Sequence, residues 1–185
     1  EAKTYLKEAA DNISIEENAE YLAQTQSNLS CVYGELSEIT DKEENLDAAI
    51  FYTKESLKIY TSKDFPYYHA LAMANLGTLL IHRVQFSQNG SKAKDASEAI
   101  DMILKSVDFF TLKDYPLNYA NTMIALGEAY EIAAIGKDKS TNLRNAIDSY
   151  QNALKVFTLA KYEDSNKKCS DSISRLESLL AERKK

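Results

Sequence analysis

The amino-acid sequence predicts an all-α protein, built as a solenoid in which antiparallel helix hairpins stack one on the next. Its 185 residues contain three similar segments, AAIFYTKESLKIYTSKDFP, EAIDMILKSVDFFTLKDYP and NAIDSYQNALKVFTLAKYE. Their isoleucines Ile50, Ile100 and Ile147 recur at intervals of 50 and then 47 residues, a period typical of stacked arrays. Apolar residues keep a helical spacing, and the alternation typical of strands is absent.

A second set of similar segments completes the repeating unit. QTQSNLSCVYGEL, LAMANLGTLLIHR and NTMIALGEAYEIA align through Leu29, Leu76 and Leu126, which lie 47 and then 50 residues apart. Because the two intervals appear in reversed order, one three-residue insertion is expected in the middle repeat, in the loop around residues 88–90. Such loops tolerate insertions. Each unit is therefore expected to hold two helices.

Eight helices are expected in chain order. The first, over about 1–13, aligns with second helices, because AKTYLKEAADNIS matches AIFYTKESLKIYT at its tyrosine, lysine and glutamate. The other seven are expected at about 17–37, 43–61, 66–86, 93–111, 116–135, 141–159 and 165–182. Residues 1–185 then form one domain with a half-repeat at 1–14, repeats at about 15–62, 63–112 and 113–159, and a terminal helix at 165–182.

Local signals support several of these helix starts. Capping-box patterns begin at Thr40 and Asp95, and Ser140 precedes the third helix of the same kind. Pro66 and Pro116 stand where the first turn of the next helix is expected, a place at which the missing N–H of proline costs nothing. These patterns favour long helices joined by short connectors.

Composition excludes several classes of partner. The net charge of −6 argues against nucleic acid and against anionic membranes, since both favour a basic surface. No apolar run reaches the ~20 residues that cross a bilayer, and the first stretch is too polar for a signal peptide. Cys31 and Cys169 are too far apart to suggest a disulfide framework or a metal site, which indicates a cytoplasmic location. Both stand at small-residue positions of the helical pattern, so buried or half-buried thiols are expected. The chain starts without methionine and is expected to be part of a longer protein.

Catalytic chemistry is not indicated by the sequence. His69 and His82 occupy repeat columns without partners that would form a metal site or a base–nucleophile pair. No enzyme activity, metal or cofactor is therefore expected. Aromatic residues that recur with the repeat, such as Tyr60 with Phe110 and Phe157, are interpreted as core. Tyr67 and Tyr68 recur less well, and a recognition role stays open for them.

The residues that recur resemble the tetratricopeptide repeat. A Leu-Gly pair marks the first helix of that family's unit, and an Ala-Ile…Ala-Leu run marks the second. Here these are Asn75-Leu76-Gly77 with Ala99-Ile100, and Ala125-Leu126-Gly127-x-x-Tyr130 with Ala146-Ile147…Ala153-Leu154. Ser30 and Ser174 replace the glycine. The period of 47 to 50 residues exceeds the usual one, so the chain is similar to a long-helix variant. The resemblance implies a right-handed superhelix.

The resemblance also implies where a partner binds. In the family, binding residues lie two and five positions on either side of the first-helix leucine, on the concave wall. The corresponding residues are Gln24, Ser27, Cys31 and Gly34, then Leu71, Ala74, Thr78 and Ile81, then Asn121, Ile124, Glu128 and Glu131. The three groups are small, apolar and acidic, and the basic clamp by which some relatives hold a terminal carboxylate is missing.

A scaffold that binds a peptide or protein segment on this wall is the first hypothesis for function, and the wall implies a partner with apolar and basic features. Open repeat ends leave a self-associating structural role as an alternative. A peptide or small-ligand sensor is another, and it would require a closed pocket. The sequence leaves the oligomeric state open.

Overall fold

The computed structural model describes residues 4–5, 7–8, 12, 15–86, 92–136 and 138–182. Within these residues the protein is all-helical and has no strand, which confirms the predicted fold class. The seven helices are α1 (Ile15–Ser37), α2 (Lys42–Ser56), α3 (Pro66–Phe86), α4 (Lys92–Val107), α5 (Pro116–Ala133), α6 (Lys139–Ala160) and α7 (Glu163–Glu182). The helix predicted over 1–13 and the insertion predicted around 88–90 lie largely outside the described residues.

Neighbouring helices pack in chain order. The closest packing joins α1 to α2, α3 to α4 and α5 to α6, and looser packing joins each pair to the next helix. Helix α3 also contacts α5 directly. The buried apolar residues form one continuous core that includes Leu29, Leu80, Ile103 and Leu176. No described helix is long and apolar enough to cross a membrane.

Each pair of helices meets at a position where a small residue faces a larger one. A Cβ added to Gly127 would come within 2.8 Å of the Tyr150 ring, and one added to Gly77 would collide with Ile103. In the first pair the corresponding contact is a hydrogen bond of 2.6 Å between the hydroxyls of Ser30 and Thr53. Thr53, Ile103 and Tyr150 occupy one column of the sequence repeat, so the size of each residue is matched to its partner.

The connectors after α2 and α4 have the same structure. Thr61 donates its hydroxyl hydrogen to Asp64 (2.8 Å) and accepts the Asp64 N–H (3.0 Å). Thr111 and Asp114 form the same pair at 2.8 and 3.1 Å. The backbone hydrogen bonds around them also recur 50 residues apart. For example, Tyr60 N–H bonds Ser56 O, and Phe110 N–H bonds Ser106 O. The sequence repeat is therefore a structural repeat at these connectors.

The same connectors correct two helix ends. Helices α2 and α4 end at Ser56 and Val107, earlier than the predicted ends at 61 and 111. The chain turns there through hydrogen bonds that span three residues where an α-helix spans four, including Ile59 N–H to Ser56 O and Phe109 N–H to Ser106 O. This turn lets Tyr60 and Phe110 enter the core, where they are 3% and 0% exposed.

The third connector differs because its sequence differs. Lys161 stands where the other two connectors have aspartate, and Glu163 stands in place of proline. Helix α6 therefore continues to Ala160 and ends at Lys161 in the left-handed conformation, with φ of 58°. Tyr162 N–H then bonds Phe157 O at 3.0 Å, as in other helix ends that use this conformation.

The predicted capping boxes are wrong. The residue before α2 is Asp41, which is left-handed (φ 43°) and makes no side-chain cap bond, while α6 begins at Lys139, ahead of Ser140. Asp95 lies inside α4 and is buried, and both of its carboxylate oxygens accept hydrogen bonds from Arg83 at 3.0 and 3.1 Å. Asp95 therefore forms an ion pair between α3 and α4, and it does not cap a helix as its local sequence pattern had indicated.

Candidate functional site

The helices that the sequence identified as first helices line three clefts. The first cleft lies between α1 and α3, the second between α3 and α5, and the third between α5, α6 and α7, with volumes of about 400, 170 and 680 Å³. Asn75 and Thr78 of α3 line both the first and the second cleft. The first two clefts are therefore neighbours on one surface, which we call the first-helix face.

The second cleft brings four of the predicted binding residues together. Leu71, Ala74 and Thr78 come from α3, and Asn121 comes from α5. Asn75 and Asn118 complete a group of three amide side chains around them. These amides have no hydrogen-bond partner among the described residues. They are available to a ligand that offers both donors and acceptors.

The first cleft contains Cys31 and Gly34, which also belong to the predicted set. Glu35, Glu38 and His82 complete its polar lining. Cys31 was expected to be buried or half-buried, and the structure shows it exposed, whereas Cys169 is buried. Desolvation by surrounding atoms, with a further contribution from Glu35, raises the pKa of the Cys31 thiol. The thiol is therefore protonated near neutral pH.

The third cleft contains the two acidic residues of the predicted wall, and both are paired. Glu128 accepts a hydrogen bond from Lys168 Nζ at 2.8 Å. Glu131 accepts from Arg175 Nη2 at 2.7 and 2.9 Å and from the Tyr150 hydroxyl at 2.8 Å. Burial, together with Glu131, raises the pKa of Tyr150 well above its ordinary value. The acidic character expected for this part of the wall is thus neutralised by α7.

The remaining predicted residues have different environments. Gln24 is exposed on α1, while Ser27 and Ile124 are half-buried, and none of the three lines a cleft. Ile81 is completely buried, so it is withdrawn from the set of surface positions. Helix α3 packs against α2, α4 and α5, and these neighbours cover its C-terminal half, where Leu80 and Val84 are also buried.

Sequence reasoning missed the residues that complete the clefts. Asn75 and Asn118 are adjacent to predicted positions or to repeat columns. Together with Asn121 they are three asparagines within two first helices, a sequence signal that could have indicated a polar binding surface. Lys139, Lys168 and Arg175 gave no such signal. Lys168 and Arg175 reach their partners over 40 and 44 residues of chain, and repeat columns do not reveal contacts of that kind.

The aromatic residues of the first two connectors form one connected group of ring contacts that runs from Tyr60 to Tyr115. Tyr67 packs against Phe109, Phe110 and Tyr115, with ring centroids 5.6 to 6.4 Å apart. Tyr67 and Tyr68 remain 37% and 44% exposed, so packing accounts for only part of their surface. The core interpretation of Tyr60, Phe110 and Phe157 is confirmed by their burial.

The histidines and acidic residues offer little for metal chemistry. His69 Nδ1 lies 2.7 Å from Tyr60 O, at the end of the first connector turn, which is consistent with the predicted structural role. Within the described ranges, no three histidine, cysteine, aspartate or glutamate side chains are grouped so that they could hold a metal ion.

Fold and site together define an all-helical protein whose first helices present a surface with three clefts. No known family model matches the chain. A comparison with curated proteins likewise finds no match.

Proposed function

We propose that this protein is a non-catalytic interaction module of the tetratricopeptide type, which binds a peptide or protein segment on its first-helix face. In this proposal the helix pairs form a right-handed solenoid of eight helices, the first of which spans residues 1–13, and the first-helix face is its concave wall. The module serves as part of a larger cytoplasmic protein. Its partner is a protein, with no role for nucleic acid or a membrane surface.

The observation that carries the proposal is the second cleft. Residues chosen by their offset from the repeat leucines, Leu71, Ala74, Thr78 and Asn121, lie together around one opening. Three amides line the same opening. Because an asparagine side chain both donates and accepts hydrogen bonds, it can pair with the N–H and C=O of an extended peptide. Apolar Leu71 and Ala74 provide contact for a partner side chain.

The small size of the second cleft favours a segment over a compact small ligand. The second cleft holds about 170 Å³, which is less than the ~300 Å³ typical of small-molecule sites. Its continuity with the first cleft through Asn75 and Thr78 suits an extended chain that crosses successive helices. The sensor alternative would need one closed pocket, and the clefts open to the surface.

A selected peptide tests the proposal. Peptides taken from a random display library against the protein are measured by fluorescence anisotropy with Leu71→Asp and Asn121→Ala. Each change is expected to raise Kd about tenfold or more, as loss of a central contact does. The matched controls are Leu104→Asp on α4, a leucine 41% exposed, and Asn152→Ala on α6.

The controls are expected to leave the affinity unchanged, and far-UV circular dichroism checks that each variant folds. An equal loss of affinity in the controls, or no loss of affinity in Leu71→Asp and Asn121→Ala, would show that the peptide does not bind on the first-helix face.

Self-association is a second candidate because α6 presents two leucines beside a shallow groove that Gln151 and Lys155 also line. Leu154, Leu159 and Thr158 border a shallow groove on this helix, and Leu159 is 85% exposed. A surface of this kind can pack on a second copy. Light scattering over a range of protein concentrations tests it. A mass that rises with concentration and returns to that of the monomer in Leu159→Asp supports this role, and a constant monomer excludes it.

A further inference from the structure

The third cleft has a charge opposite to that which its wall residues suggested. Three cations, Lys139, Lys168 and Arg175, line it together with two carboxylates, Glu128 and Glu131. Both carboxylates are paired with cations of α7. Lys139 has no ion-pair partner among the described residues. The lining therefore carries one positive charge in excess.

The cations are also the outer members of each pair. The side chain of Lys168 is 56% exposed and that of Glu128 is 22% exposed. Arg175 and Glu131 show the same order, at 53% and 20%. A ligand that approaches this cleft therefore meets ammonium and guanidinium groups before it meets carboxylates.

Lys168 and Arg175 retain N–H groups that can donate further hydrogen bonds. Arg175 holds both oxygens of Glu131 with Nη2, and within the described part of the chain its Nε and Nη1 hydrogens make no bond, so they can bond another acceptor. Lys168 uses one of its three ammonium hydrogens on Glu128. A second carboxylate can thus join the cluster without breaking either existing pair.

An apolar surface lies beside the charged groups. Leu143 and Leu176 form a buried floor, while Leu179 and Ile135 are 38% and 84% exposed at the edge. Aliphatic side chains of this kind contact aliphatic groups of a ligand and exclude water from them. The cleft therefore combines an apolar surface with an anion-binding edge.

We infer that the third cleft binds the part of the partner in which an acidic side chain stands beside aliphatic ones. This inference rests on the proposed function, since it takes the third cleft, which lies farther along the same helix α5 that lines the second cleft, as the place where the bound segment continues. It reverses the basic partner that the sequence implied, because the glutamates that suggested it are satisfied internally.

The probes are three short peptides with both ends blocked, made of leucine alternating with glutamate, glutamine or lysine. Each is titrated into ¹⁵N-labelled protein to about 1 mM, a range that detects weak binding, while amide resonances are followed. The leucine–glutamate peptide is expected to shift residues of the third cleft, with an affinity that falls as salt is raised.

A charge reversal gives the decisive comparison. Lys139→Glu is expected to raise the Kd of the leucine–glutamate peptide about tenfold, as loss of one attraction and gain of one repulsion do. Glutamate suits the start of a helix, so α6 is expected to remain folded. Lys113→Glu makes the same change on an exposed connector residue and is expected to have no effect.

Three results would overturn the inference. If the leucine–lysine peptide binds the third cleft as tightly, or if Lys139→Glu binds the leucine–glutamate peptide unchanged, the charge assignment is wrong while the docking face stands. If none of the peptides shifts a residue of the third cleft, the assignment of partner chemistry falls, whereas the docking face is judged by the selected peptide with Leu71→Asp and Asn121→Ala.

Discussion

Gly127→Ala tests whether the close approach of α5 and α6 depends on the absence of a side chain. The added Cβ would lie 2.8 to 2.9 Å from three carbons of the Tyr150 ring, so the ring must move about 0.6 Å to reach ordinary contact. Tyr150 is 1% exposed, and its hydroxyl bonds Glu131, so both packing and this bond resist the movement. Overpacking of a core costs about 1–3 kcal/mol.

Alanine also favours a helix over glycine by about 1 kcal/mol, which offsets part of this cost. We therefore expect Gly127→Ala to lower the free energy of unfolding by up to about 2 kcal/mol, and to lower Tm by about 2–4 °C for each kcal/mol. Urea unfolding followed by circular dichroism measures it.

Gly34→Ala is the matched control. Its nearest neighbour would be Leu79 Cδ2 at an ordinary 3.7 Å, so only the helix preference remains and stability is expected to rise by about 0.5–1 kcal/mol. Equal stabilisation by both substitutions would refute the close-packing argument.

Two further predictions concern buried hydroxyl groups. Ser56 Oγ donates to Thr53 O at 2.9 Å, whereas Ser106 Oγ, in the same repeat column, is buried and has no hydrogen-bond partner among the described residues. Ser56→Ala should therefore cost about 1 kcal/mol, and Ser106→Ala should be neutral or stabilising. Equal costs in urea unfolding would contradict this. Because burial and Glu131 raise the pKa of Tyr150 above 10.0 in the folded state, its contribution to stability is present below about pH 10 and is lost above it, as the unfolded chain ionises. Tyr150→Phe should lower stability by about 1.5 kcal/mol at neutral pH and weaken the fall between about pH 9 and pH 11, and an unchanged fall would count against the assigned cause.

The sequence predicted the positions of the described helices because helical periodicity is a local property. The starts of α3 and α5 at Pro66 and Pro116 agree with the structure, since proline fixes a first turn by its own geometry. The ends of α2 and α4 were wrong because they depend on the burial of Tyr60 and Phe110. Burial is decided by the rest of the fold, so no local pattern could reveal it.

The candidate site was predicted less completely. Alignment alone placed Leu71 and Asn121 in equivalent positions of neighbouring repeats, and the structure brings them to one cleft. It could not show that Ile81 is covered by other helices, or that Glu131 is held by Arg175. Those outcomes depend on how each helix is rotated toward its neighbours.

The central claim is that a partner binds on the first-helix face. Amide hydrogen exchange of the protein, with and without a library-selected peptide, tests it most directly. We expect new protection in α1, α3 and α5, strongest near Asn75 and Asn121, with little change in α2 and α4. Protection confined to α2, α4 and α6, or to the connectors between helices, would contradict the account.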